Sequence, residues 1–403
     1  MSVLQGKNIL LGVTAGIAAY KTAHLVRLCI KAGANVQVVM TPASKDFVTP
    51  LTLSTLSKNP VHSTFYEKND ENELWTNHVE LGLWADLMLI APATANTLSK
   101  MTSGTADNLL LAVYLSAKCP VYFAPAMDLD MFKHPSTLES IEKLQSFGNI
   151  LIPAASGELA SGLVGEGRMA EPETIVSHIE ANIKQSLPLY GKTVLITAGP
   201  TYEAIDPVRF IGNHSSGKMG FQLAVEAANL GASVILITGP SSQTIAHSSV
   251  KRIDVVSAID MYHAVHEFYE KASIVIAAAA VADYTPVVTS DQKLKKQNEE
   301  LILTLTKTKD ILASMGSLKQ KQFLVGFALE TENELAYAKG KLRKKNLDMV
   351  ILNSLKDKGA GFSVDSNKIT ILDKDNTVQE FSLKSKALVA KDIFVAILKK
   401  YHV

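Results

Sequence analysis

Short apolar runs, each followed by a polar loop and then a helical pattern, recur along the chain. Residues 7–13 (KNILLGV) predict a first buried strand. The residues TAGIAAYKTAHLVRLCIKAGA that follow predict a loop running into a helix, and residues 36–40 predict a second strand. Strand–helix–strand units of this kind form parallel sheets. The beginning of the chain therefore predicts an α/β domain.

The same order of elements starts again at Lys192. TVLITAG, a helical pattern and AANLGASVILITG repeat the opening, and the phrase Gly-Ala-x-Val occurs at Gly33 and at Gly231, each time before an apolar strand. The repeat predicts the fold class, which is α/β with two Rossmann-like domains and mainly parallel sheets. We place the domains at residues 1–187 and 188–403, because the intervening IKQSLPLYGK is typical of a linker.

Polar loops follow the predicted strands in both halves. In the first half, residues 84–91 and 121–124 run into such loops, and residues 153–171 predict an ordered flap because they contain four glycines and no long apolar run. In the second half, residues 274–280 and 323–327 also give onto polar segments. The carboxyl ends of parallel strands share one edge of a sheet, and ligands bind at that edge.

The loop within residues 193–220 carries more polar chemistry than a turn needs. A strand, a Gly-containing loop and a helix present backbone N–H groups to a phosphate or carboxylate, so this segment predicts an anion site. Residues 212–218 (GNHSSGK) match the P-loop pattern only in part, because Met219 stands where a P-loop has Ser or Thr. The glycine run also lies far from its strand, which argues against a P-loop NTPase.

Composition narrows the class of protein. Hydrophobic residues make up 47% of the 403 residues, and Lys+Arg 40 against Asp+Glu 39 argues against a dedicated nucleic-acid binder. Two cysteines, Cys29 and Cys119, exclude a disulfide scaffold or a Cys-rich zinc site. Residues 8–20 fit a strand and loop better than a signal peptide, and no apolar run approaches the ~20 residues of a membrane span. We predict a cytoplasmic protein.

An ordered set of motifs connects the chain with a known family. They are TAGIAAYK, NHVEL, APATANTLSK, PAM, GRM, TAGPTYEAIDPVRFIGNHSSGKMG, AAVADYTP, KLKK and VGFALETE. With them, the chain resembles the bacterial bifunctional coenzyme A biosynthesis proteins, in which phosphopantothenoylcysteine decarboxylase is fused to phosphopantothenate–cysteine ligase. The resemblance implies an FMN-dependent first half and a second half that uses CTP and Mg²⁺. It also implies 4′-phosphopantothenate and cysteine as substrates.

In the first half, the resemblance implies a flavin site and a decarboxylation site. The implied flavin contacts are Thr14, Gly16, Ser44, Phe47, Thr94, Ala95 and Asn96. A helix N-terminus after Gly16 suits the FMN phosphate, and short side chains let a flat ring approach the backbone. His78 is the implied base, and Met127 and Arg168 are implied substrate contacts. The flavin would accept electrons from the cysteinyl thiol end of the substrate, and would return them after CO₂ has left.

Two residues depart from the family pattern. Asp128 stands where the family has an Asn that grips the substrate carboxylate, and two carboxylates repel each other unless one is protonated or a cation intervenes. Ser161 replaces the Cys that donates the final proton, and a hydroxyl is a far weaker acid than a thiol. Either this half no longer decarboxylates, or Asp128 and Ser161 changed together, so that a protonated Asp128 or an Asp128–Ser161 pair delivers the proton. The intact GEGRM and APATAN segments favour the second explanation.

In the second half, the resemblance implies that the phosphopantothenate carboxylate attacks the α-phosphate of CTP, and that the amine of cysteine then displaces CMP. Asn213 would hold the acyl cytidylate, and Arg209 the substrate phosphate or carboxylate. Asp283 would contact the nucleotide or its metal, and Lys293 would neutralise phosphate charge. The other implied nucleotide contacts are Lys309, Asp310, Ile311, Leu312, Phe327, Lys341 and Lys345.

Two other hypotheses remain open from the sequence. One is a ligase whose flavin-binding half serves only as an oligomerisation scaffold, and the other is a regulatory flavoprotein that sequesters a partner. The resemblance further suggests a homo-oligomer, with trimeric contacts between flavoprotein halves and dimeric contacts between ligase halves, up to a dodecamer. No nucleic-acid or membrane partner is expected.

Overall fold

The computed structural model of the chain describes residues 2–67, 74–295, 301–330, 333–354 and 365–401. They form two compact units, the first within Met1–Lys184 and the second within Gln185–Val403. Across these described ranges, every helix is either too short or too polar to cross a lipid bilayer.

The first unit is built on a parallel sheet. Its strands are β1 (Asn8–Val13), β2 (Asn35–Met40), β3 (Val61–His62), β4 (Tyr66–Glu67), β5 (Leu74–Trp75), β6 (Leu87–Ala93), β7 (Val121–Pro125), β8 (Ile150–Leu151), β9 (Ala155–Glu158) and β10 (Val164–Arg168). Its helices are α1 (Thr22–Lys31), α2 (Pro50–Ser57), α3 (His78–Trp84), α4 (Ala95–Ser103), α5 (Leu109–Ser116), α6 (Leu129–Lys133), α7 (Pro135–Ser146) and α8 (Pro172–Gln185), with 3-10 helices at Ile17–Lys21 and Pro42–Asp46. Six strands pair in parallel in the order β3-β2-β1-β6-β7-β8.

Both faces of this sheet are buried, which explains the unbroken apolar runs of its strands. Successive side chains of a strand point to opposite faces, so Leu11 of β1 packs into one hydrophobic cluster and Leu10 into the other. Asn77 and Asn108 begin α3 and α5, where their side chains accept backbone N–H groups of the first turn. Polar residues at the ends of apolar segments therefore set where these helices start.

The second unit repeats the plan with a larger sheet. Its strands are β11 (Thr193–Ala198), β12 (Tyr202–Ala204), β13 (Phe210–Gly212), β14 (Ser233–Thr238), β15 (Val250–Asp254), β16 (Ile274–Ala277), β17 (Tyr284–Pro286), β18 (Leu305–Lys307), β19 (Phe323–Glu330), β20 (Met349–Ser354), β21 (Ser366–Asn367), β22 (Ile369–Asp373), β23 (Val378–Glu380) and β24 (Lys384–Ser385). Its helices are α9 (Lys218–Asn229), α10 (Ala258–Tyr269), α11 (Ile311–Leu318), α12 (Glu334–Lys344) and α13 (Lys386–Lys400).

Eight strands of this unit pair in the order β15-β14-β11-β16-β19-β20-β22-β23. The pairs from β15 to β20 are parallel, whereas β22 and β23 are antiparallel. The predicted class, α/β with two Rossmann-like domains and mainly parallel sheets, is therefore confirmed. The extra residues of the second repeat form an antiparallel hairpin, β12–β13, immediately after β11.

Two candidate active-site clefts

A cleft of about 990 Å³ opens in the first unit, among residues that follow β1, β2, β6 and β7. Its lining includes the predicted site residues Gly16, Thr94, Ala95, Asn96, Met127, Asp128, Ser161 and Arg168. Much of the remaining wall is made of small side chains such as Ala15, Ala43 and Ala126. The structure thus brings together residues that are far apart in the chain.

The entrance to α4 suits a flat polar ring. Thr94 precedes the helix but makes no side-chain capping bond to it, so the first N–H groups of α4 are not taken by that side chain. Buried Thr14 supports this turn, because its hydroxyl donates to Pro92 O at 2.7 Å and accepts the Thr94 N–H at 3.4 Å. Short side chains and open N–H groups together fit the predicted flavin.

Three predicted flavin contacts do not line this cleft. Thr14 and Ser44 are fully buried, and the Ser44 hydroxyl donates to Thr41 O at 2.7 Å, which holds the loop after β2. Phe47 is 43% exposed and belongs to the same loop. Thr14 and Ser44 therefore lie behind the residues that line the cleft and support them.

The two departures from the family pattern contact each other. The Ser161 hydroxyl donates to Asp128 Oδ1 at 2.9 Å, and the Leu129 N–H donates to the same oxygen at 2.7 Å. Ser161 lies in the turn of the β9–β10 hairpin, which is the predicted flap, and Met127 N–H donates to Gly167 O at 3.0 Å. A side chain at Gly167, whose φ is +134°, would come within 2.5 Å of Met127 O. The flap therefore lies directly against the segment that carries Asp128.

A largely buried lysine that the sequence did not single out belongs to the lining of this cleft. Lys21 Nζ donates to Met169 O at 3.0 Å and to Glu171 Oε1 at 2.9 Å, and Arg168 Nη2 donates to the same carboxylate oxygen at 2.8 Å. The hydrogen bond from Lys21 is the main reason why the pKa of Glu171 is lowered. Glu171 thus fixes the two cations, and Arg168 reaches the cleft in a defined orientation.

His78, the predicted base, does not line the cleft of its own chain. It is the first residue of α3, and its ring packs edge-on against Phe65 and Trp75 with ring centroids 6.1 and 6.4 Å away. The buried Nδ1 atom has no hydrogen-bond partner within the described ranges. Within one chain, the structure therefore separates His78 from the Asp128–Ser161 pair.

A second cleft, of about 930 Å³, opens in the second unit among residues that follow β16 and β19 and along one face of α12. Its lining includes the predicted residues Asp283, Lys309, Asp310, Ile311, Leu312, Phe327, Lys341 and Lys345. Lys307 and Lys344 add two further cations. Five lysines against two carboxylates make this wall positive, which suits a polyphosphate.

Several of these lysines have partners in the protein. Lys341 Nζ donates to Phe327 O at 2.6 Å, Lys345 pairs with Asp310, and Lys309 Nζ lies 4.6 Å from the ring centre of Tyr262. Burial would raise the pKa of Asp310, but the hydrogen bond from Lys345 and that from the Ala313 N–H outweigh it, and the pKa is lowered. The cations are therefore held in place before any anion binds.

Asp283, the tentative metal ligand, lines this cleft. Within the described ranges, no group of three or more His, Cys, Asp or Glu side chains could hold a metal ion. Magnesium commonly binds through one or two carboxylates and the phosphates of a nucleotide. The residues present therefore fit a metal that arrives with its nucleotide better than a permanent metal centre.

Asn213, Arg209 and Lys293 do not belong to the lining of this cleft. Asn213 Nδ2 donates to Ala280 O at 3.0 Å and to Val281 O at 3.1 Å, and Val281 is a lining residue. Lys293 is exposed. The last lysine of the KLKK motif, Lys296, lies outside the described residues. Asn213 is thus joined to the cleft through the segment that follows β16.

The predicted anion loop leads into α9. Gly217, with a left-handed φ of +79°, precedes the helix. Because glycine has no side chain, this residue cannot cap the first N–H groups of α9 with one. Lys218 pairs with Asp365. The glycine that resembled part of a P-loop therefore serves as the entry to α9.

Two family models divide the chain between them. The flavoprotein family matches residues 2–184, and the DNA/pantothenate metabolism flavoprotein C-terminal domain matches residues 189–401. The fold and the family models thus define a flavoprotein unit joined to a second unit of the pantothenate-metabolism type.

Full-length relatives narrow this class. The coenzyme A biosynthesis bifunctional protein CoaBC of Bacillus subtilis (strain 168) is 45% identical over 99% of this chain and 98% of its own length. A cysteine/cysteine sulfinic acid decarboxylase of an unknown prokaryotic organism is 53% identical over 88% of this chain and 100% of its own length. A crystal structure of the C-terminal domain of CoaBC covers 53% of this chain and 98% of that chain, with 43% identity and a TM-score of 0.46. The chain belongs to the family of coenzyme A biosynthesis bifunctional proteins, which confirms the resemblance drawn from its motifs.

Proposed function

We propose that the chain is a cytoplasmic enzyme that makes 4′-phosphopantetheine from 4′-phosphopantothenate and cysteine. The second unit would ligate the two substrates, and the first would decarboxylate the product. The observation that carries the proposal is the contrast in lining, with five lysines in one cleft and many small side chains beside a flap in the other. Family membership supports the same two reactions.

In the ligase reaction, CTP would bind in the second cleft. Lys309, Lys341 and Lys345 would exchange their protein partners for phosphate oxygens, and Asp283 would help to hold Mg²⁺, which would neutralise phosphate charge. The carboxylate of 4′-phosphopantothenate would then attack the α-phosphate, and pyrophosphate would leave. Neutralising phosphate charge is the role we assign to Lys293.

The second half of that reaction breaks the acyl cytidylate. Asn213 would hold this intermediate at the rim formed by Ala280 and Val281, to which its amide is already bonded. The cysteine amine would attack the acyl carbon, and CMP would leave with the oxygen of the former carboxylate. Holding the intermediate in a fixed geometry is how such a residue raises the rate.

In the decarboxylation reaction, the first cleft would bind FMN. The open first turn of α4 and the small residues around Ala95 and Ala126 fit a flat ring with polar edges. When bound, the flavin would supply a reversible acceptor for two electrons. The protein would orient the substrate beside it through Met127 and Arg168, and the β9–β10 flap would exclude water.

Asp128 and Ser161 would deliver the proton that replaces CO₂. Ser161 Oγ lies 2.9 Å from Asp128 Oδ1, so a protonated Asp128 can pass its proton to Ser161 while the Ser161 proton moves to the substrate carbon. The relay predicts that Ser161→Ala lowers kcat by about 100-fold, and that Ser161→Cys, which restores an acidic thiol, exceeds the wild type. Equal activity of all three proteins would contradict the relay.

A second substrate class is favoured by Asp128. The bonds from Ser161 and Leu129 both go to Oδ1, and Oδ2 accepts no hydrogen bond from the described residues. A carboxylate repels the carboxylate of an N-acylated cysteine but attracts the free ammonium of cysteine or cysteine sulfinate. One relative is named for decarboxylation of those two amino acids. The candidate reaction would break the bond from Cα to the carboxyl carbon, release CO₂ and place a proton on Cα, and a bound flavin would supply a reversible acceptor for two electrons.

Asp128→Asn tests the two substrate classes on one preparation. If Asp128 pairs with an ammonium, the wild type should turn over free cysteine or its sulfinate, and the variant should shift the kcat/KM ratio toward phosphopantothenoylcysteine by about 100-fold. Asp130→Asn, an exposed neighbour in α6, is the matched control. An unchanged ratio would remove free amino acids from consideration.

We also propose a homo-oligomer with trimeric contacts between first units and dimeric contacts between second units. Three observations support it. His78 lies outside the cleft of its own chain, and Ile17 and Tyr20 at the cleft are 63% and 59% exposed. In the second unit, Val288 and Ile302 beside the β17–β18 pair are 79% and 86% exposed.

Anaerobic turnover of the full chain with flavin spectra tests the whole proposal. We expect CTP-dependent pyrophosphate release and, from phosphopantothenoylcysteine, both CO₂ and phosphopantetheine. Pyrophosphate without CO₂ would leave a ligase on a flavin-binding scaffold. A yellow protein without either activity would favour a regulatory flavoprotein.

A further inference from the structure

A buried carboxylate lies at the turn of the β12–β13 hairpin. Asp206 is 3% exposed, its Oδ1 accepts the N–H groups of Val208 at 2.8 Å and Arg209 at 2.9 Å, and its Oδ2 accepts Arg209 Nε at 2.9 Å. Arg209 Nη2 lies 2.6 Å from the same Oδ2. A carboxylate only accepts hydrogen bonds, so a side chain with this many N–H neighbours must be ionised aspartate.

Asp206 and Arg209 also hold a second segment of chain, 85 residues or more further on in sequence. Leu294 N–H donates to Asp206 Oδ2 at 3.2 Å, and Leu294 O accepts Arg209 Nη2 at 2.7 Å. We call these three residues the Leu294 clamp. Ser290 N–H donates to Ile205 O at 3.1 Å, so the segment is tied to the hairpin at two points.

Lys293 lies between Ser290 and Leu294, the two residues that are hydrogen-bonded to the hairpin. Lys293 is exposed and directly precedes Leu294. The backbone N–H of Leu294 is bonded to Asp206, and its C=O is bonded to Arg209. A long side chain on a segment without such ties would sample many positions, and ordering it during the reaction would cost conformational entropy. The clamp removes part of that cost in advance because it fixes the backbone on which Lys293 stands.

We infer that Asp206 and Arg209 are positioning residues that set the place of Lys293 for the ligase reaction. The inference rests on the proposed role of Lys293, and it assigns Arg209 a different task from the one its motif implies. The Arg209 guanidinium is engaged with Asp206 and Leu294, so its effect on the reaction passes through Lys293 and not through a direct grip on substrate.

Asp206→Asn breaks the clamp with little change in shape, because an amide nitrogen replaces one acceptor oxygen. We expect faster hydrogen exchange at the Leu294 amide and faster trypsin cleavage after Lys293. We expect kcat for pyrophosphate release to fall by about 100-fold, since a displacement of about 1 Å can cost that much, while the KM for CTP stays within about 2-fold. Asp291→Asn, exposed and in the same segment, is the control.

Arg209→Lys separates positioning from substrate binding. Positioning predicts a fall in kcat and faster exchange at Leu294, with an effect that does not add to that of Asp206→Asn in the double variant. A raised KM for 4′-phosphopantothenate with unchanged exchange at Leu294 would overturn the inference. So would Asp206→Asn with unchanged exchange. If no preparation has ligase activity, the proposed function fails, while the exchange measurement still decides whether the clamp exists.

Discussion

In the first unit, the residues that follow β1, β6 and β7 leave a cleft walled by small side chains, whereas the cleft of the second unit collects five lysines around two carboxylates. Both sheets are mainly parallel and place their loops at the same kind of edge. The difference lies in the residues around that edge, which in the second unit include Lys341 and Lys344 of α12. A ring needs room and a few hydrogen bonds, but a triphosphate needs charge. One type of fold would therefore support the two proposed reactions through the residues around its sheet edge.

The two clefts also differ in how their polar groups are held. In the first, Ser161 on the flap contacts Asp128 on the wall, so the polar contact joins two elements across the cleft. In the second, Lys341 and Lys345 are bonded to Phe327 O and to Asp310 in the wall itself. A nucleotide that binds there as proposed would replace those partners. In the proposed reactions, a flap would close the first cleft, and an exchange of partners would open the lysines of the second cleft to phosphate.

The largest effect that would break this comparison is expected at Asn213. Asn213→Asp removes the N–H donors to Ala280 O and Val281 O and sets a carboxylate against two carbonyl oxygens. We expect acyl cytidylate to form but to react with cysteine about 1000-fold more slowly, as when one donor to a reaction intermediate is lost. Quench-flow with labelled CTP measures both steps. Asn229→Asp, exposed at the end of α9, is the control.

Wild-type kinetics for Asn213→Asp would contradict its assignment. Loss of pyrophosphate release as well would show that Asn213 acts before the intermediate and not upon it.

Substitution of one glycine in each unit compares how closely the two units are packed. A Cβ at Gly239 would overlap the backbone carbonyl of Pro200, whereas one at Gly12 would meet side-chain atoms, the nearest being Leu110 Cδ1 at 2.5 Å. A side chain can rotate away but a backbone cannot. Gly239→Ala should therefore destabilise the second unit by about 3 kcal/mol, and Gly12→Ala the first unit by about 1 kcal/mol. Denaturant unfolding followed by hydrogen exchange resolves the two units, and equal losses would contradict the comparison.

A smaller effect is expected from Lys341→Ala. Removal of one of five cations should raise the KM for CTP by about 10-fold, and the difference from wild type should shrink at high salt. Lys339→Ala is the matched control, because Lys339 is exposed on the same helix and does not line the cleft. Similar KM values for the two variants would mean that α12 does not face the triphosphate.

The smallest expected effect is on the free energy of unfolding at low pH. Burial alone would raise the pKa of Asp206, but the N–H groups of Val208, Leu294 and Arg209 and the Arg209 guanidinium lower it from 3.8 to about 2. Because the folded-state pKa is the lower one, this carboxylate stabilises the fold fully above about pH 4 and loses that contribution as the pH falls to about 2. Between these values, the free energy of unfolding should fall more steeply for the wild type than for Asp206→Asn. Parallel curves would contradict the shift.

Periodicity sufficed for the sheet strands because both faces of each sheet are buried. Residues 36–40 and 121–124 were predicted as strands, and β2 and β7 extend each of them by one residue. The boundary at Trp84 was wrong, since residues 84–91 were predicted as a strand but Trp84 ends α3 and β6 begins at Leu87. An apolar residue at a helix end resembles the start of a strand in the sequence, because both kinds of residue are apolar for the same reason, which is burial. The residue type alone does not distinguish the two conformations.

The site residues were predictable where a family motif assigned them a role. Asp128 and Ser161 are separated by 33 residues, yet both were singled out by their motifs and lie in hydrogen-bond contact. Lys21 was missed because a lysine on the first turn after a glycine loop is usually solvated, and only the fold shows it buried against Glu171. The partners of Arg209 likewise depend on a segment far along the chain.

His78 carries one more consequence. Its ring is embedded among aromatic side chains of its own chain, away from the Asp128–Ser161 pair. If His78 serves decarboxylation, it does so in the cleft of another copy of the chain. Two inactive variants would then complement each other. A chain lacking His78 and a chain lacking Ser161, each inactive alone, would regain activity when assembled together, because some mixed interfaces would unite an intact histidine with an intact flap.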